Sequence, residues 1–351
     1  MIANLFIFLS KNGALGVNFF FVLSGFLITI LLLKEEQVSG KINLLYFYYR
    51  RVLRIWPLYY LTLFIGFLAY PFFSALHNNP GRETASPLLY ILFLGNFNII
   101  AAGPPYSGSL RVLWSLAVEE QFYLVWPLLL IATKNKRILL FSGVIAASIV
   151  FRALYADAPV ILIYHPMSLA GDFAIGGLLA WGCFRYHTPG SVLIRHYKML
   201  IIFLYSLLMI LLFFNDRIFI FPILIISQQL IISMFFAFVI FDQAYSQNPF
   251  FELRHNRYFT LWGKYSYGLY CFHIAMLAIA LKLFNTFVPA GDDSVFFSWL
   301  IPVTGFLLTL ATAYLSFRFF ESPFLKLKTR FSVIAAKRKK IPPENRGEQH
   351  N

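Results

Sequence analysis

The sequence predicts an all-α protein, a polytopic bundle of membrane-crossing helices with about nine crossings plus one short re-entrant or interfacial segment. Three observations carry that prediction. The 351 residues are 59% hydrophobic and 13% charged, whereas a soluble domain holds roughly 45–50% apolar and about 25% charged residues. The apolar residues gather in blocks long enough to cross a hydrocarbon core of about 30 Å as helix. Lys and Arg collect in alternate segments between those blocks, as positive-inside topology requires.

The nine blocks are approximately 14–33, 56–76, 114–132, 138–156, 166–184, 197–214, 218–241, 262–284 and 296–317. In the first, G-V-N-F-F-F-V-L-S-G-F-L-I (16–28), the small residues Gly16, Ser24 and Gly25 permit close helix approach. Pro57 suits the first turn of the second block, where its missing N–H costs little. Block 88–101 is shorter and flanked by N-N-P-G and G-P-P-Y. Such breakers fit a re-entrant or interfacial segment better than a crossing. At the end of the last block, Pro323 is expected to stop the helix. Residues 326–351, with K-R-K-K and then P-P-E-N-R-G-E-Q-H-N, are expected to be a disordered basic tail behind a membrane domain at 1–325.

Charge sets the orientation. With nine crossings and an outside start, the inside segments are 34–55, 133–137, 185–198, 242–264 and 318–351, and they hold 23 of the 29 Lys and Arg. Counting 88–101 as a crossing would turn the basic tail outward. The C-terminus is therefore expected in the cytoplasm. The net charge of +14 is mostly this signal, read against anionic headgroups, and it gives no reason to expect nucleic acid as a partner. Cys183 and Cys271 both lie in apolar blocks and suit core packing.

Five stretches are candidates for chemistry. Y-F-Y-Y-R-R-V-L-R-I-W-P (46–57) puts Arg51 and Arg54 three apart on one helix face. They suit either a positive-inside anchor among interfacial aromatics or an anion site, since guanidinium groups grip phosphates bidentately. W-S-L-A-V-E-E-Q-F-Y (114–123) sinks Glu119 and Glu120 into an apolar block. Intramembrane carboxylates are expensive and mark function by default, with a structural ion pair as the alternative. Ser115, Glu119, Phe122 and Trp126 share a face there, while Glu120 points about 100° away. W-G-K-Y-S-Y-G-L-Y-C-F-H-I (262–274) brings His273 to mid-span, as a satisfied interior residue or a proton handler. F-R-F-F-E-S-P-F (317–324) spaces Arg318 and Glu321 for a local pair. The fifth stretch is the small-residue block 16–28, where packing is the plain account. No H-E-x-x-H, CxxC pair, phosphate-cradling glycine loop or G-x-S-x-G elbow occurs, and His77, His165, His187, His196, His255 and His350 lack ligand spacing. No metal and no permanently bound cofactor is expected.

Taken in order, 16–28, the R-R-V-L-R-I-W-P run, W-S-L-A-V-E-E-Q-F-Y, S-Y-G-L-Y-C-F-H and F-E-S-P-F resemble the integral-membrane acyltransferase family 3, over about residues 13–325. The resemblance implies a many-helix enzyme that takes an acyl group, usually acetyl from acetyl-CoA, on the cytoplasmic side of the bacterial inner membrane. The group passes to a hydroxyl of a surface or lipid-linked saccharide, such as lipopolysaccharide. The family's R-x-x-R pair falls on Arg51 and Arg54, and its Trp-Ser-Leu-x-x-Glu segment on Trp114, Ser115, Leu116 and Glu119. The family's first span carries an essential His after a basic residue. Residues 1–13 hold no His, so this chain is expected to begin at the family's second span. His273 then stands as a substitute candidate. A transporter or flippase for a lipid-linked sugar, or an inactive remnant, would also place charges within helices.

Overall fold

The computed structural model describes residues 2–69, 83–186, 198–245, 256–287 and 295–331, and every regular element among them is helical. Eight of these helices are long and apolar enough to cross a membrane, and each corresponds to an expected block. The remaining block, 197–214, is the shorter apolar helix Lys198–Phe213.

In chain order the main helices are α1 Ile2–Ser39, α2 Leu44–Phe64, α3 Leu113–Ala132, α4 Arg137–Leu154, α5 Pro166–Tyr186, α6 Lys198–Phe213, α7 Pro222–Tyr245, α8 Arg257–Phe287, α9 Val295–Ser316 and α10 Ser322–Lys328. Gly40, with φ 76°, follows α1 and donates its N–H to the Glu36 carbonyl. This is the left-handed stop that glycine takes without strain. Asn43 then caps α2, its side chain accepting from the Tyr46 N–H at 3.1 Å. That cap moves the helix start well ahead of the expected one. Pro57 lies inside α2 rather than in its first turn, and Arg50, Arg51 and Arg54 belong to the helix itself.

The chain divides into two units. The first comprises residues 1–42 and 118–259. Its core joins Val22, Phe26 and Ile30 of α1 to Ile175 of α5 and Leu230, Ile232, Phe236 and Ile240 of α7. Two glycines decide how closely α1 and α5 approach. A Cβ on Gly25 would lie 2.1 Å from the Phe173 carbonyl oxygen, and one on Gly176 would lie 2.0 Å from that of Val22. Backbone therefore packs on backbone from both sides, as small residues permit between membrane helices. Gly16 has no neighbour within 4 Å of a Cβ built there, so of the two glycines on the expected small-residue face only Gly25 makes this contact.

The second unit comprises residues 43–117 and 260–351. Leu58 and Tyr59 of α2, Tyr90, Phe93, Leu110, Leu113 and Leu116 pack with Cys271 and Phe272 of α8. The segment 88–101 is two short helices, Pro87–Ile91 and Gly95–Ala102, broken where Phe93 takes φ 56°. Neither approaches a crossing length. Tyr59 stacks on Phe93 with centroids 4.1 Å apart and donates to the Tyr90 carbonyl at 2.6 Å. The approach to these helices is tied by Glu83, whose carboxylate accepts backbone N–H groups from Thr84, Ala85, Tyr106 and Ser107.

Pro323 does not stop the last helix. A π-helical turn, Phe317–Glu321, follows α9, and Pro323 then sits second in α10. The π-helical turn just before it accommodates the proline within a helix that continues through it. The helical chain runs past Leu325 to a 3₁₀ turn at Thr329–Phe331. The rest of the expected tail lies outside the described residues, as do His77, His187, His196, His255 and His350.

Candidate functional site

In the second unit, α2 carries Arg50, Arg51 and Arg54 on successive turns. Arg51 lies over the Phe47 ring at 5.6 Å, and Arg54 is exposed. Arg50 reaches the end of the described chain, its Nη1 donating to the Phe331 carbonyl at 2.7 Å. The Tyr49 ring stacks on Phe331, with centroids 4.9 Å apart and planes at 20°. Half-buried Lys328 thereby comes within electrostatic reach of Arg54, Arg51 and Arg50. The hydropathy pattern had placed Lys328 in the tail, and the structure places it in the helical chain instead.

Glu321 belongs to the same neighbourhood. It is buried, accepts from Ser316 Oγ at 3.0 Å and acts electrostatically on Arg54. Gly268 of α8 lies beside Glu321 and packs closely on Ala313 of α9, where an added Cβ would come within 3.2 Å of the Ala313 Cβ. The expected Arg318–Glu321 pair is not what forms. Exposed Arg318 donates to the Tyr314 hydroxyl at 3.0 Å. The intervening π-helical turn adds a residue and rotates Glu321 inward, away from the Arg318 face.

The same unit holds Trp114, Ser115 and His273. Trp114 is half-buried and Ser115 is buried. The Tyr270 hydroxyl donates to the Val112 carbonyl at 3.0 Å, so the proton of its hydrogen bond with Ser115 comes from Ser115. The Tyr270 backbone carbonyl accepts from His273 Nδ1 at 2.7 Å. A carbonyl cannot donate, so Nδ1 carries the proton and Nε2 keeps its lone pair. His273 lies on an exposed face of the unit. Tyr270 thus links Ser115 to His273, although the sequence marks it only as one of many aromatics.

In the first unit, half-buried Glu119 accepts a hydrogen bond from Ser24 of α1, and Ser24 accepts from the Tyr123 hydroxyl at 3.1 Å. Ser24, expected to serve packing, is therefore a hydroxyl donor to the carboxylate. Further along α3, Trp126 Nε1–H donates to Thr29 Oγ1 at 2.8 Å, and Phe122 stacks on Phe173 at 4.0 Å. These contacts fix the Glu119 face of α3 against α1 and α5. Glu120 is half-buried and turned off that face by the helical repeat.

A second polar group in this unit is not among the five sequence candidates. Asp172 is fully buried and accepts from Asn18 at 3.0 Å, Gln229 at 2.7 Å and Ser233 at 2.7 Å. Buried Arg152 donates to Gln229 Oε1, to Ser168 Oγ at 2.8 Å and to the Ile226 carbonyl at 3.0 Å. Gln229 therefore bridges the guanidinium and the carboxylate, joining α1, α4, α5 and α7. The signal was available, because Arg152 and Asp172 each interrupt an apolar block. Their spacing shows no motif, so the partnership is visible only in three dimensions.

Comparison with known proteins gives concordant matches. A family model described as an acyltransferase domain matches residues 2–318. A Staphylococcus aureus (strain COL) protein named "Putative O-acetyltransferase" is 30% identical over 344 residues, covering 90% of this chain and 53% of its own. "Peptidoglycan O-acetyltransferase OatA" of Listeria monocytogenes is 36% identical over 143 residues, 37% of this chain and 22% of its own. A Bacillus subtilis (strain 168) protein named "Putative peptidoglycan O-acetyltransferase" is 27% identical, covering 90% of this chain and 51% of its own. The chain spans about half the length of the Staphylococcus and Bacillus relatives it matches. No solved structure matches.

Proposed function

This chain belongs to acyltransferase family 3, and on that premise we propose that it is a multi-pass O-acyltransferase of the bacterial inner membrane. Its donor is a cytoplasmic acyl-CoA, most simply acetyl-CoA, and its acceptor is a hydroxyl of a cell-surface or lipid-linked saccharide. The names of the Listeria and Bacillus relatives support a cell-wall glycan among such acceptors. The basic segments, and with them the C-terminus, face the cytoplasm on the positive-inside rule.

The observation that carries this reading is the arginine face of α2, where Arg51 and Arg54 stand three apart on a regular helix. CoA bears phosphates at its nucleotide end, and planar guanidinium groups meet phosphate oxygens in pairs. Arg51 and Arg54 hold that end. In the transfer the acceptor oxygen attacks the thioester carbonyl carbon. The new C–O bond forms as the C–S bond breaks, and the hydroxyl proton passes to a base while CoA leaves as thiolate and is then protonated. Glu119, oriented by Ser24, is the first candidate for that base, and His273, with its Nε2 lone pair, is the second. Positioned proton transfer is worth about 10²–10⁴-fold.

The test measures acyl transfer in membranes carrying Arg54→Ala. The expected outcome is a raised KM for acetyl-CoA. An unchanged dependence on acetyl-CoA concentration removes the arginine role. Comparing Glu119→Gln with His273→Gln then assigns the base by which variant loses kcat.

A further inference from the structure

We propose that Lys328 is a further cation of the phosphate site, brought to Arg50, Arg51 and Arg54 by the fold of the chain's last described helix. The proposal rests on the reading of that site as the seat of acyl-CoA's nucleotide end. Three contacts fix the geometry. Arg50 donates to the Phe331 carbonyl at 2.7 Å, Tyr49 stacks on Phe331 at 4.9 Å, and the Tyr46 ring meets Phe331 edge-on at 5.7 Å. All three tie Phe331 to the arginine-bearing turns of α2. Lys328 lies one turn before Phe331, is half-buried, and feels the charges of all three arginines.

Gathering like charges around a half-buried spot is unfavourable, because water screens them less there than at a free surface. A multiply charged anion reverses the sign of that interaction. The 3′-phosphate and 5′-diphosphate of CoA provide such an anion, spread over more oxygens than two guanidinium groups can meet. Lysine adds a compact point charge with rotatable donors. The helical chain runs without a break through the π-helical turn Phe317–Glu321 and on to Lys328, alongside α2. A phospholipid headgroup offers the same phosphate chemistry, and the experiment separates the two sources.

The experiment titrates CoA against the purified full chain in lipid-free detergent, at low and high salt, for wild type, Lys328→Gln and Lys328→Arg. Unchanged thermal melting controls for folding. A charge-assisted phosphate contact is worth enough that Lys328→Gln should raise the Kd for CoA about tenfold. It should also flatten the salt dependence of binding, and Lys328→Arg should stay near wild type. A parallel series in nanodiscs with and without phosphatidylglycerol tests the headgroup. If Lys328→Gln binds CoA as wild type does, with the same salt dependence, the role of Lys328 is overturned and the arginine site stands. An effect of Lys328→Gln confined to phosphatidylglycerol discs overturns it equally. If wild type does not bind CoA at all, the arginine reading falls and takes Lys328 with it.

Discussion

Ser24 of α1 donates its hydroxyl proton to the Glu119 carboxylate, and Tyr123 donates in turn to Ser24. The carboxylate is thus held by a hydroxyl on a neighbouring helix, which is what a positioned base or orienting group requires. Glu119→Gln keeps the shape and removes the basicity, so kcat for acyl transfer should fall about 10²–10⁴-fold with little change in thermal melting. Ser24→Ala removes one orienting bond and should lower kcat up to about tenfold, the worth of a typical net hydrogen bond. Activity of Glu119→Gln equal to wild type would remove Glu119 from the chemistry.

Gly25 and Gly176 predict stability rather than activity. Each gives its place to a carbonyl oxygen of the facing helix, so any side chain forces α1 and α5 apart. Gly176→Val should destabilise the protein by about 1–3 kcal/mol or more, as overpacking does. Gly16→Ala, with open space around it, should leave thermal melting unchanged. Equal effects at the two positions would contradict the packing account.

Much of the architecture was legible because hydrophobic length and charge alternation act along the chain. Eight of nine blocks correspond to helices of crossing length, and the breakers around 88–101 mark a segment that does split into two short helices. Boundaries were less legible. Pro57 resembles a helix start because proline favours first turns, but the Asn43 cap lies further upstream and decides the matter. Pro323 resembles a stop, but a preceding π-helical turn lets the helix continue through it. Arg51, Arg54 and Glu119 were visible as charges within or next to apolar runs. The neighbours Ser24 and Lys328 were not, because each is supplied by a distant part of the sequence.

The Asp172 network should govern folding of its unit. Asp172→Ala leaves Arg152 and Gln229 buried without the carboxylate, and breaking a buried ionic arrangement costs about 3–5 kcal/mol. Asp172→Asn keeps hydrogen-bonding capacity and should cost less. Unfolding in mixed detergent micelles checks the order, and Asp172→Ala as stable as wild type would show the network to be dispensable.

Arg318 and Glu321 should part in their effects. Arg318 is exposed and donates to the Tyr314 hydroxyl, so Arg318→Ala should change stability within about ±0.5 kcal/mol. Glu321 is buried against Gly268 and acts on Arg54. Glu321→Ala should lower stability by more than that, as loss of a buried, hydrogen-bonded group does. Matching phenotypes for the two variants would restore a local pair.

The central claim is that an acyl group leaves a CoA thioester through this chain and arrives on a saccharide hydroxyl. Proteoliposomes with the purified chain, radiolabelled acetyl-CoA on the face bearing the basic segments and a cell-wall glycan on the other, measure it directly. The account predicts ester-linked label on the glycan, dependent on Arg54 and Glu119. Label that stays on CoA with every saccharide offered, while the protein remains folded, would contradict it.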